Sequence, residues 1–132
     1  MNTFIVEDSP IILENLVATL EEVAPVKVLG SAADESSAMS GLIEHRDSLD
    51  LVIIDIFLKS GSGLGLLKAA AAAGIAGRRV VLTNYATTDM RRRCKELGAD
   101  RVFDKSEELD ELIAYCNVIA GGTPDSRLGA SG

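Results

Sequence analysis

The chain has 132 residues and a mass of 13.9 kDa, enough for one domain around one core and too little for two. Hydrophobic residues make up 47% and charged residues 25%, a balance that excludes a chain disordered throughout. A net charge of −7 with a pI near 4.6 argues against a nucleic-acid reader, whose affinity rests on clustered Lys and Arg.

Strand-like apolar runs alternate with helical patterns five times, the signature of repeated βαβ units and a parallel sheet. The first strand is expected near Thr3 to Val6. Ser9 then caps a helix with Pro10 at its opening position, and Ile12, Leu16, Leu20 and Val23 recur at helical spacing. A second strand is expected at Val26 to Leu29, and a second helix at about Asp34 to Arg46 with Ala38, Leu42 and Ile43 inward. Leu51 to Ile54 form the third strand. The third helix starts near Gly63 and carries Leu66, Leu67 and the run Ala69 to Ala73, small side chains that let a helix lie close to a sheet. Val80 to Thr83 give the fourth strand, and the helix at about Thr88 to Leu97 stops at Gly98. Arg101 to Phe103 give the fifth strand. Ser106 is placed to cap the last helix, with Leu109, Leu112, Ile113 and Cys116 as its buried stripe. From Gly121 the composition shifts to Gly, Ser, Thr, Pro and Asp without an apolar period, so residues 121–132 are expected to form a disordered tail behind a domain of residues 1–120. The fold class that follows is α/β: an open parallel sheet of five strands with five helices.

Cys94 and Cys116 have neither metal-ligand nor redox spacing, and both are expected as small core side chains. His45 lies in a polar helix end and reads as exposed. Arg91-Arg92-Arg93 reads as a solvated face rather than a nucleic-acid patch. No basic region followed by an apolar stretch opens the chain, and no run reaches the ~18 apolar residues of a membrane helix. These features point to a reducing cytoplasm.

Chemistry gathers where the apolar runs stop. Glu7 and Asp8 follow Phe4-Ile5-Val6, Asp55 follows Leu51 to Ile54, Thr83 ends Val80 to Leu82, and Lys105 comes just after Val102-Phe103-Asp104. In an open parallel sheet the carboxyl ends of neighbouring strands share one edge, where ligands bind, so three carboxylates, a hydroxyl and an ammonium meet there. Clustered hard oxygens suit Mg²⁺. Glu7 and Asp8 could instead simply cap the first helix, and Thr83 could cap the fourth. Asp55, placed among aliphatic residues, must be paired or do chemistry, because an isolated carboxylate there is costly. A carboxylate in that position can accept a phosphoryl group as nucleophile, with a lysine and a metal offsetting charge on the transferred oxygens. Ser60-Gly61-Ser62-Gly63-Leu64-Gly65 matches neither phosphate-loop pattern and reads as a tight turn bringing backbone close to the site.

The set Glu7-Asp8, Asp55, Thr83 and Lys105, spread over alternating strands and helices from Thr3 to Ala120, resembles the receiver domain of two-component response regulators. The resemblance implies a doubly wound, flavodoxin-like, five-stranded parallel sheet in the order 2-1-3-4-5 with five helices, and a single-domain regulator that accepts a phosphoryl group at Asp55 from a histidine kinase or histidine phosphotransfer protein. It implies no enzymatic activity beyond Mg²⁺-dependent self-phosphorylation and autodephosphorylation. Asp8, Asp55 and the Phe57 carbonyl would hold Mg²⁺, with Glu7 acting through water, while Thr83 and Lys105 contact the phosphoryl group. Signalling would run through protein contacts of the fourth helix, fifth strand and fifth helix, where Arg91 to Arg93 offer charge, with no part played by nucleic acid or membrane. Lys59 and Ser106 stand where many relatives carry proline. Val102 stands where a Tyr or Phe switch residue is common, which removes the usual aromatic rotamer change and leaves Tyr85 to take part instead. Phe57 and Tyr85 sit where side chains can shield an aspartyl phosphate. Three alternatives remain open. The chain could be a phosphate sink or a phosphorylation-independent adaptor. A phosphohydrolase of the Asp-x-Asp type is disfavoured because its second acid would fall at Phe57.

Overall fold

In the computed structural model, which describes residues 1–121, strands and helices alternate along the whole path. They are β1 (Asn2–Val6), α1 (Pro10–Val23), β2 (Lys27–Ala32), α2 (Glu35–Glu44), β3 (Leu51–Ile54), α3 (Gly63–Ala72), β4 (Arg78–Thr83), α4 (Thr88–Glu96), β5 (Arg101–Asp104) and α5 (Leu109–Ile119). The sheet order is β2-β1-β3-β4-β5 with every pair parallel, as the sequence predicts. The expected tail falls outside the described residues apart from Gly121.

Side-chain alternation along each strand divides the core in two. Phe4, Val6, Val52, Ile54, Val81 and Val102 face α2, α3 and α4. Ile5, Leu51, Ile53, Val80, Leu82 and Phe103 face α1 and α5. With helices on both faces, all four residues of β3 are buried, which explains its unbroken aliphatic run. Phe4 needs room on its face: a Cβ on Gly41 would sit 2.4 Å from its ring and one on Gly30 3.1 Å. Both glycines therefore serve packing. Cys94 and Cys116 are buried, as expected.

Four local expectations are corrected. β2 runs on through Gly30, Ser31 and Ala32, which carry no β-favouring pattern, because β1 supplies the pairing; a bulge between Thr3 and Phe4 absorbs the extra residue. On α1, Leu16 and Leu20 are buried, flanked by half-buried Leu13 and Val17, whereas Ile12 and Val23 stay exposed; on α2, Ile43 turns outward beside buried Leu42. Ser106 does not cap α5. Its hydroxyl donates to Asp104 Oδ1 at 2.7 Å, the helix begins three residues later, and no side chain caps it. Asp104 also accepts the N–H groups of Ser106 and Glu107, and these bonds hold its carboxyl below the usual range. His45 is half-buried rather than exposed, its ring tilted 6.4 Å from that of Phe4. No helix among the described residues is long and apolar enough to cross a membrane.

Candidate functional site

Because all five strands run the same way, the residues that follow them share one edge. Backbone bonds carry the sheet pattern past the strand ends: Glu7 N–H donates to Ala32 O, Asp55 N–H to Val6 O and Lys105 N–H to Thr83 O, at 2.8–3.0 Å. Glu7, Asp55 and Lys105 are thus fixed by the sheet itself.

Glu7, Asp8 and Asp55 each present a carboxylate oxygen within 4.8 Å of the other two. Lys105 Nζ donates to Glu7 Oε1 at 2.6 Å and to Asp55 Oδ2 at 3.0 Å. The Lys105, Glu7 and Asp55 side chains are only 12%, 3% and 10% exposed. Burial alone pulls the Lys105 ammonium toward neutrality, but its hydrogen bonds to Glu7 and Asp55 and their charges outweigh burial and hold its pKa above the ordinary lysine value. Three carboxylates against one ammonium leave a formal charge of −2 (−3 + 1), and every anionic ligand atom is a hard oxygen. The donor set fits a divalent cation of the Mg²⁺ type.

The capping alternatives fail on geometry. The α1 cap is Ser9, whose hydroxyl accepts the Ile12 N–H, while Glu7 Oε2 accepts only the Ser9 N–H. The α4 cap is Thr87, not Thr83. Thr83 is fully buried, its Oγ1 accepting the Tyr85 N–H at 3.2 Å, and it lies outside the residues lining the cleft. Asn84, next in the chain, lines the cleft instead, as do Ser9 and Ile12; sequence reasoning passed over all three. For Asn84 the signal was available in its position at the end of β4.

Phe57 and Tyr85 stand at the cleft with their rings edge to face, 4.7 Å between centroids and 65° between planes. They are 52% and 59% exposed, so this apolar pair faces solvent over an acidic floor. The Phe57 N–H makes a long contact, 3.4 Å, to Asp55 Oδ1. Val102 lies away from the cleft, buried in the core on the α4 side.

The glycine-rich turn behaves as its composition suggests. Gly61 has φ +80°, a conformation side chains disfavour. A Cβ on Gly63 would lie 2.2 Å from Asp55 O and 2.7 Å from Ile56 Cα, so α3 starts directly against the backbone of the acid. Glu35, unremarked in the sequence, secures this turn from α2: its carboxylate accepts the Ser62 N–H and its own N–H donates to Ser60 O.

The basic run divides. Arg92 pairs with Asp89 at the surface and Arg93 is exposed, but Arg91 is turned inward, onto Ala86 O, Val102 O and Glu108. Arg91 is therefore not a free surface charge.

Comparison with known proteins accords with this geometry. The family model for the response regulator receiver domain matches residues 3–117. The transcriptional regulatory protein DltR of Streptococcus agalactiae is 33% identical over 116 residues, covering 86% of this chain and 49% of DltR. The chain spans about half the length of the curated relatives it matches. Two solved structures share the fold at 21% identity. One is the CheX-CheY-BeF3-Mg²⁺ complex from Borrelia burgdorferi (TM-score 0.74, over 87% of this chain and 88% of that one). The other is a response regulator from Burkholderia pseudomallei with a phosphorylated aspartic acid, a calcium ion and citrate (TM-score 0.72, over 98% and 71%).

Proposed function

This chain belongs to the response regulator receiver domain family, and from that premise we propose that residues 1–120 form a receiver unit whose phosphoacceptor is Asp55. The observation that carries the proposal is the convergence of Glu7, Asp8 and Asp55 with the Lys105 ammonium in one cleft at the strand ends. The donor would be a phosphohistidine on a histidine kinase or a histidine phosphotransfer protein. An Asp55 carboxylate oxygen attacks phosphorus, the P–N bond breaks as the new P–O bond forms, and the electron pair leaves on the imidazole nitrogen; neutral imidazole results when that nitrogen takes up a proton or the other ring nitrogen already carries one.

Asp8, Asp55 and the Phe57 carbonyl would hold Mg²⁺, with Glu7 acting through water. Bound there, the ion supplies positive charge against the anionic oxygens of donor and acceptor. Lys105, already bonded to Glu7 and Asp55, would contribute a second positive charge to the transferred oxygens. Thr83, buried and outside the cleft lining, would have to turn its hydroxyl outward to contact a phosphoryl oxygen; accepting the Tyr85 N–H leaves its own hydrogen free to donate. The bound groups named for the two structural neighbours, beryllofluoride with Mg²⁺ and a phosphorylated aspartic acid, support the same reading.

Phe57 and Tyr85 together would obstruct the in-line water that hydrolyses the acyl phosphate. A long-lived phosphoryl group favours a switch acting through protein contacts of α4, β5 and α5 over a phosphate sink. The reading is tested by mass spectrometry after incubation with acetyl phosphate and Mg²⁺. A single phosphoryl addition is expected, absent in Asp55→Asn and in excess chelator; addition that persists in either would overturn it.

A further inference from the structure

The Arg91 guanidinium ties together three segments: the β4 to α4 connection, β5 and the start of α5. Nε donates to Ala86 O at 2.9 Å, Nη1 to Val102 O at 3.0 Å and Nη2 to Glu108 Oε1 at 2.6 Å. Glu108 Oε1 also accepts the Asp104 N–H at 2.8 Å, so the anchor is itself anchored to the end of β5. The guanidinium holds the Glu108 carboxyl below its ordinary range, as a charge-assisted hydrogen bond should.

Ala86 follows Tyr85 directly. The short β4 to α4 connection is therefore gripped on both sides of the tyrosine: Thr83 Oγ1 accepts the Tyr85 N–H, and Arg91 holds the next carbonyl. The ring between these two grips is the one packed on Phe57 over the acids. An exposed ring on a connection of four residues would otherwise sample other positions.

We propose that Arg91 is a positioning residue for the phosphoryl cleft, fixing Tyr85 against Phe57 by clamping the Ala86 carbonyl to β5 and to the start of α5. The shielding it serves rests on the phosphoacceptor reading above. The role belongs to the shape of the group as much as its charge: a lysine keeps the charge but cannot reach three acceptors as a planar fork.

The experiment uses the full chain and three variants, Arg91→Lys, Tyr85→Ala and the double variant, with two readouts. In the unphosphorylated protein, nuclear Overhauser contacts between the Phe57 and Tyr85 rings should be lost in Arg91→Lys while its backbone spectrum away from the β4 to α4 connection, α4, β5 and the start of α5 stays that of the wild type. Persistence of those contacts overturns the proposal. In the protein phosphorylated at Asp55, Arg91→Lys should decay faster by about three- to tenfold, a barrier change of roughly 0.6–1.4 kcal/mol. In the Tyr85→Ala background the same substitution should change nothing. Unchanged decay in Arg91→Lys, or equal acceleration in both backgrounds, means that Arg91 does not act through the tyrosine. A wild-type chain that never takes up phosphate at Asp55 would refute the phosphoacceptor reading, and the ring contacts would still decide the positioning role.

Discussion

Replacing Lys105 by methionine keeps most of its volume and deletes the ammonium held between Glu7 and Asp55. At an effective dielectric constant of about 20, charges 2.6 and 3.0 Å apart attract by roughly 6.4 and 5.5 kcal/mol. Desolvation cancels much of that, and removing one member of a buried pair costs a protein about 3–5 kcal/mol. The cleft is open on one side, so a net loss of about 2–4 kcal/mol is expected for Lys105→Met in chelator. For a domain of this size that is a fall in Tm of roughly 8–16 °C. Excess Mg²⁺ should narrow the gap, because the ion supplies charge to the same carboxylates. The alkaline limb has a defined sign. The folded pKa of Lys105 is raised, so its contribution is complete below the ordinary lysine value of about 10.5 and is lost as pH climbs through the folded value. Melting curves of wild type and Lys105→Met, in chelator and in Mg²⁺, check all three points. A variant that melts with the wild type in chelator, or a gap that Mg²⁺ leaves unchanged, would refute the electrostatic account.

Gly63→Ala should lose about 1–3 kcal/mol by chemical denaturation and phosphorylate poorly, since its Cβ has only the Asp55 and Ile56 backbone to displace. Asp8→Asn should weaken Mg²⁺ binding by calorimetry yet melt higher in chelator, by about 1 kcal/mol, because one of three crowded charges is gone. Phe57→Ala should shorten the life of the phosphorylated protein about three- to tenfold, followed by loss of the phosphoryl mass over time. The thiols of Cys94 and Cys116 should resist Ellman's reagent at pH 8 until the chain is unfolded, because burial raises both, Cys116 to about 11.

Strand polarity and the edge where chemistry gathers were legible because they follow from apolar runs and what ends them, whereas the sheet order followed only from the family resemblance. Leu51 to Ile54 admit one reading, a buried strand, and its polarity brings Asp55 to the same edge as Glu7 and Lys105. Gly30-Ser31-Ala32 were not legible as strand, since their pairing comes from β1 and not from their own side chains. Ile12, Val23 and Ile43 sit at helical spacing yet stay exposed, because spacing marks a helix face without saying how much of that face its neighbours cover. Arg91 was misread for a related reason. A run of three arginines looks solvated until the fold supplies carbonyls at Ala86 and Val102 within reach of one of them.

The contact between Lys105 and Glu7 joins residues 98 apart in sequence. In a chain made from its N-terminus, β1 and β3 are available long before β5 leaves the ribosome. Pairing of β1 with β3 alone would assemble Glu7, Asp8 and Asp55 without their ammonium, and such an edge would repel itself until β5 docked against β4. β5 thus brings the internal counter-charge, and the strand that completes this sheet is also the one that offsets the charge of its acidic edge.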